Sequence, residues 1–134
     1  MRTRGSNVNG NAWRVAIEEP QPALPRKVRR VVPLAGLAMA TSGDYRIYFE
    51  RDGHRYCHEI DPVSASPVAH ALTSVTVVAA DCASADAYAT ALMVLGPEKG
   101  YALAERLDLG ACFIERAPDG SLVDRATPAF DALG

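Results

Sequence analysis

At 134 residues the chain is long enough to bury one core and too short for two, so one domain is expected over residues 1–134. Charged residues make up 22% of it and the formal net charge is −2, which excludes a global basic field of the kind that recruits nucleic acid or an anionic membrane. Cys57, Cys82 and Cys112 stand far apart with no CxxC pairing, which argues against a zinc site or a full disulfide framework and for buried, reduced thiols.

The polar start Met1 to Asn11 has no signal-peptide core, and no stretch reaches the roughly 20 apolar residues that span a bilayer. As given, the polypeptide is expected to stay where it is made, in the cytoplasm. Trp13 to Ile17 alternates apolar residues with period two and predicts a strand. Pro20, Pro22 and Pro25 lack the N–H a ladder needs and predict a connection or an edge. The basic run Arg26, Lys27, Arg29 and Arg30 opens the next segment; it reads as a solvated strand face, with a binding patch as the other reading.

Lys27 to Leu34 and Leu37 to Ser42 are β-like runs broken at Ala35-Gly36. Tyr45 to Glu50 and His54 to Ile60 flank Arg51-Asp52-Gly53, and Asp-Gly favours a hairpin because both residues tolerate positive φ. After Asp61-Pro62 an irregular stretch leads to about Thr73, and the valines of Ser74 to Ala79 suit a buried strand. Ser84 is placed to cap a helix that runs to about Leu95 and stops at Gly96-Pro97. A second helix, Glu98 to about Leu107, reads amphipathic through Tyr101, Leu103, Ala104 and Leu107. Ala111 to Glu115 and Ser121 to Arg125 predict strands around Pro118-Asp119-Gly120, and Pro128 to Leu133 one last helical turn. Strands, two consecutive helices, then strands again predict an α+β fold with a mostly antiparallel sheet.

Three constellations could carry chemistry. In His54 to Pro62, strand alternation puts His54, Tyr56, His58 and Ile60 on one face with Asp61 at the strand end. A histidine there suits a general base for a hydroxyl proton; equally, it is a half-buried strand residue with Asp61 capping the next turn. A metal pair of His54 and His58 lacks a third ligand. In Ala85 to Thr90, positions 86, 89 and 90 share one helical face, so the Asp86 carboxylate and Thr90 hydroxyl converge as hard oxygen ligands of the kind Mg²⁺ takes. The plain alternative is an aspartate serving the helix dipole and a threonine bonded to the preceding turn. The turn Ala40 to Tyr45 could offer the N–H groups of Ser42 and Gly43 to a phosphate or a flavin edge, or simply connect two strands.

Thr41-Ser42-Gly43-Asp44-Tyr45, Tyr56-Cys57-His58-Glu59-Ile60-Asp61-Pro62, Ser74-Val75-Thr76-Val77, Ala85-Asp86-Ala87-Tyr88-Ala89-Thr90 and Val94-Leu95-Gly96-Pro97-Glu98-Lys99-Gly100 together resemble the C-terminal signature of the ApbE-type flavin transferases. The resemblance runs from about Gly5, where Gly10 to Ile17 is similar to a Gly-x-x-Trp strand, to the end of the chain. It implies a T-fold-like half domain and Mg²⁺-dependent transfer of FMN from FAD to a threonine hydroxyl of an acceptor protein. It implies Asp86 and Thr90 as side-chain metal ligands with Ala89 offering its carbonyl, His58 as the base and Ile60 beside the flavin. Two departures stand out. The family's D-P-x-T-G turn is here Asp61-Pro62-Val63-Ser64-Ala65, without the glycine. The family's D-L-G-G-I-A-K-G segment, which completes the flavin pocket, has no counterpart, so a missing N-terminal half or a homo-oligomer partner would have to supply it. The family is often periplasmic or membrane-anchored. A catalytically inactive flavin-binding or protein-interaction remnant of the same fold is the alternative reading.

Overall fold

The structure, a computed structural model, describes residues 1–21 and 25–134, so Pro22 and the side chain of His54 lie outside the described residues. Strand β1 (Trp13–Glu18) runs antiparallel to β2 (Val28–Leu34), as the alternation predicts, with the proline-containing connection between them. A four-stranded antiparallel sheet takes β3 (Ala38–Gly43), β8 (Leu72–Ala79), β9 (Gly110–Arg116) and β10 (Leu122–Ala126) in the order β10-β9-β8-β3. Strands β4 (Tyr48–Arg51) and β5 (His54–Cys57) form a separate hairpin, and β6 (Ile60–Asp61) pairs with β7 (Ser66–Pro67). The fold is α+β, and all the described strand pairings are antiparallel.

The four-stranded sheet is the middle of three layers, and strand alternation assigns its residues to two apolar cores. Val75 and Val77 of β8, with Ala111 and Phe113 of β9, pack against Ala89, Leu92 and Met93 of helix α1 (Cys82–Arg106). Val78, Cys112 and Ile114 face the opposite way, onto Ile17, Val32 and Leu34 of the β1-β2 hairpin and Phe130 of α2 (Pro128–Asp131). With both faces covered, β8 is buried from Leu72 to Val78, including the small polar residues Thr73, Ser74 and Thr76.

Helix α1 begins earlier than expected. Asp81, rather than Ser84, is its N-cap: the Asp81 carboxylate accepts the Ser84 N–H at 2.9 Å, and the Ser84 hydroxyl donates to the same carboxylate at 2.8 Å. Inside α1 two helical stretches meet at Gly96, whose φ of 79° leaves the helical region, and Pro97 starts the second. The expected break therefore falls where Gly96-Pro97 placed it. Leu107, expected on the apolar face, is the exposed C-cap.

Both residues of the β4-β5 turn, Asp52 (φ 53°) and Gly53 (φ 74°), take positive φ, as the Asp-Gly reading requires. The flanking bounds differ. The expected strand from Tyr45 starts only at Tyr48, because the chain turns away after Gly43, where an added Cβ would lie 2.7 Å from the Thr73 carbonyl. The three arginines of the basic run pair with acids: Arg29 contacts Glu19 and Asp124, Arg30 contacts Asp131, and Arg26 lies 3.5 Å from Glu18. All three cysteines are free, as expected, but Cys82 is exposed at the start of α1 rather than buried.

Candidate functional site

The turn after β3, the segment between β5 and β6, and the second turn of α1 enclose an open cleft of about 810 Å³. Thr41, Ser42 and Gly43 reach it from β3, His58, Glu59 and Ile60 from the second segment, and Asp86 and Thr90 from α1; Ile17 and Glu18 close it from β1. Residues more than seventy positions apart in sequence, such as Ile17 and Thr90, thus share one space. No helix among the described residues is long and apolar enough to cross a membrane.

Asp86 and Thr90 are exposed to the cleft one helical turn apart. Asp86 is the fifth residue of α1, so it lies beyond the first turn, where the helix carries no acid. The Thr90 and Ser42 hydroxyls are 2.9 Å apart, which joins α1 to the end of β3 at the cleft. The Ala89 side chain points the other way and is fully buried in the core. Among the described residues no group of three or more His, Cys, Asp and Glu side chains is placed to hold a metal. A cation here would take a single carboxylate and neutral oxygens from this chain. That donor set suits Mg²⁺, which keeps water and substrate oxygens in its remaining positions.

His58 does not lie on a strand. Strand β5 ends at Cys57 and the backbone bends before β6 starts at Ile60, so the expected strand from His54 to Ile60 is interrupted at His58, while exposure still alternates, with Cys57 and Glu59 buried and His58 and Ile60 exposed. The bend exposes His58 to the cleft. Its Nδ1–H donates to the Ile47 carbonyl at 3.1 Å, an assignment that leaves the lone pair on Nε2. Ile60 is 50% exposed, which leaves an apolar surface open beside the histidine. Asp61 caps the following turn, accepting from the Val63 N–H and the Ser64 hydroxyl at 2.9 Å each. These bonds hold its carboxyl below the usual range. The glycine absent from this turn is replaced by a non-glycine residue in the same region of φ: Ala65 stands at φ 52°.

Sequence reasoning missed three side chains of the cleft. Arg46 follows the Gly43 turn, ion-pairs with Glu18 across the cleft and lies 5.6 Å from the Tyr45 ring centroid. Its hydrogen bond to Glu18 raises the guanidinium further above its ordinary value. Glu59 is the third. Alternation turns it away from exposed His58 and Ile60, and it borders the cleft while only 7% exposed. Burial pushes its carboxyl up, against a smaller downward pull from His58 and with an upward push from Asp44.

The class is a three-layer α+β fold in which one exposed carboxylate, a histidine and a polar glycine turn surround an open cleft. The ApbE family model matches residues 1–113. The chain is 42% identical over 133 residues to the FAD:protein FMN transferase of Haemophilus influenzae, covering 99% of this chain and 38% of that protein. It is 44% identical over 120 residues to the FAD:protein FMN transferase of Vibrio cholerae, covering 90% of this chain and 36% of that protein. Among solved structures, the flavinyl transferase ApbE of Pseudomonas stutzeri in its apo form superposes with a TM-score of 0.81 at 48% identity, over 98% of this chain and 40% of that one. The flavin transferase ApbE from Vibrio cholerae gives 0.84 at 38% identity, over 99% of this chain and 41% of that one. The chain belongs to the ApbE family, and it corresponds to about two fifths of the length of these relatives.

Proposed function

We propose that this chain is the part of an FAD:protein FMN transferase that carries its metal-binding and base-bearing wall. It would serve Mg²⁺-dependent transfer of FMN from FAD onto a threonine hydroxyl of an acceptor protein. The observation that supports this reading is the gathering of His58, Ile60, Asp86 and Thr90 around one cleft, in a chain whose relatives carry that activity in their names. The remaining wall would come from residues outside this segment or from a partner chain.

Asp86 and Thr90, with the Ala89 carbonyl, would hold Mg²⁺, which when bound neutralises charge on the pyrophosphate. The Ser42 hydroxyl, 2.9 Å from that of Thr90, fixes the Thr90 rotamer. Ile60 offers an apolar surface to the flavin ring. His58 holds a lone pair at Nε2 because its Nδ1–H is committed to Ile47, so it accepts the proton of the incoming threonine hydroxyl. Phosphoryl transfer asks chiefly for charge neutralisation, in-line positioning and a proton acceptor, and these residues supply each.

The test is covalent flavin on a threonine-bearing acceptor, followed across an Mg²⁺ titration. It compares this chain alone, this chain with the N-terminal segment of the Haemophilus relative, and the Asp86→Ala form of the complemented pair. Little transfer is expected from the chain alone, Mg²⁺-dependent transfer from the pair, and loss of that dependence in Asp86→Ala. A complemented pair that transfers nothing, beside an active full-length relative, would refute the reading; an Asp86→Ala pair with the wild-type Mg²⁺ response would remove the metal assignment.

A further inference from the structure

Arg46 is the only arginine or lysine among the described residues that line the cleft, which it shares with the carboxyls of Glu18, Glu59 and Asp86. Such a lining suits a ligand that carries a pyrophosphate only if that guanidinium is free to meet it, alongside a cation at Asp86 and Thr90.

The backbone that carries Arg46 touches both ends of the proposed chemistry. Four residues before it, the Ser42 hydroxyl lies 2.9 Å from that of Thr90, the proposed metal ligand. One residue after it, the Ile47 carbonyl accepts from Nδ1 of His58, the proposed base. A phosphorus atom attacked by a hydroxyl at His58, with its oxygens on a cation at Asp86 and Thr90, sits between those two groups. Arg46 belongs to the segment that joins them.

Arg46 pairs with Glu18, and the pair is able to come apart. Glu18 is held from two sides: Arg46 takes Oε2, and Arg26 lies 3.5 Å from Oε1. The carboxylate therefore keeps a cationic partner when Arg46 leaves. The Arg46 side chain is 55% exposed against 21% for Glu18, so the arginine is the end with less packing to lose. Exposed ion pairs contribute little to stability, and a phosphate accepts two parallel N–H bonds from one guanidinium.

We infer that Arg46 exchanges Glu18 for the pyrophosphate of the ligand and holds the charge that transfer leaves on the departing phosphate. This rests on the flavin reading above and adds a phosphate-binding residue to it. In the transfer the threonine oxygen bonds to the flavin-side phosphorus, and the bond from that phosphorus to the bridging oxygen breaks. The electron pair of that bond stays on the departing adenylate, and the hydroxyl proton goes to His58. Arg46, always protonated, gives up no proton and contributes charge and hydrogen bonds alone.

The experiment uses this chain complemented with the N-terminal segment of the Haemophilus relative, as wild type, Arg46→Gln, Arg46→Lys and Glu18→Gln. Single-turnover flavinylation across FAD concentrations separates affinity from the transfer rate, and a thermal midpoint is measured for each. Arg46→Gln is expected to weaken FAD by about tenfold or more and to slow transfer by about 10²–10³-fold, with the midpoint nearly unchanged. Arg46→Lys, which keeps the charge without the bidentate fork, recovers part of both losses. Glu18→Gln removes the competing carboxylate and tightens FAD by about two- to fivefold. The two halves of the ion pair thus act in opposite directions, which a merely structural pair does not do.

Equal losses in Arg46→Gln and Glu18→Gln, with lowered midpoints, would overturn the inference and mark the pair as a support of the fold. A wild-type rate and FAD dependence in Arg46→Gln would overturn it too, while leaving the flavin reading intact. Should Arg46→Gln not fold, Glu18→Gln decides alone, since weakened FAD there contradicts the exchange. A wild-type pair that transfers nothing, beside an active full-length relative, would overturn the flavin reading and this inference with it.

Discussion

The Nε2–H of His70 donates to the Met93 carbonyl at 2.8 Å, at the point where Pro97, four residues further along α1, has no N–H to offer it. The imidazole fills the notch opened by the kink, so that a Cβ added to Gly96 would lie 2.9 Å from its Cδ2. A loop residue thus completes the hydrogen bonding of a helix broken by its own sequence, and it fixes the first half of α1, with Asp86 and Thr90, against the sheet.

Removing that donor leaves a buried carbonyl unsatisfied, so His70→Ala is expected to cost about 1–3 kcal/mol. Gln at this position, which keeps a terminal N–H, should recover part of the loss. Urea denaturation of the three proteins measures this, and an unchanged midpoint in His70→Ala would show that water replaces the imidazole without cost.

Ala65 holds φ at 52° in the turn capped by Asp61, its N–H bonded to the Asp61 carbonyl at 2.8 Å, with its side chain exposed. A left-handed non-glycine residue is strained by roughly 1–2 kcal/mol, partly offset in a glycine by greater freedom of the unfolded chain. Ala65→Gly should therefore stabilise the protein by about 0.5–1 kcal/mol. A lowered thermal midpoint would contradict the strain assignment.

The Glu59 carboxyl is raised by burial, drawn down less by His58 and pushed up by Asp44. The folded protein then binds this proton more tightly than the unfolded chain. The stability it contributes is complete below the unfolded value of about 4.3 and is lost as pH rises through the folded value. Glu59→Gln should flatten that decline, read as the difference between the two proteins in denaturant midpoints from about pH 4 to pH 8. Parallel curves would place the titration on other groups.

His58 is exposed, and its described hydrogen bond goes to the Ile47 carbonyl. Its replacement by Ala should change stability by less than about 0.5 kcal/mol. If it is the base for the acceptor hydroxyl, the same change slows single-turnover flavinylation by about 10²–10⁴-fold in the complemented protein, with FAD affinity kept. A destabilised protein with normal turnover per folded molecule would assign His58 to structure.

Several features were legible in the sequence because they are set within a few residues. Asp52-Gly53 demanded two positive φ values, and both are present. Gly96-Pro97 demanded a helix break, since glycine admits φ of 79° and proline carries no N–H. The valines of β8 announced a buried strand, and the structure covers it on both faces. The expected cap lies too late: Ser84 is a good capping residue, but Asp81, three positions earlier and equally suited, is where α1 starts. Alternation past Cys57 held in exposure, with Cys57 and Glu59 buried and His58 and Ile60 exposed, but the single strand expected there is split by a bend between β5 and β6. The burial of a carboxyl and the meeting of residues 41–43, 58–60 and 86–90 depend on packing between distant segments, which no local periodicity encodes.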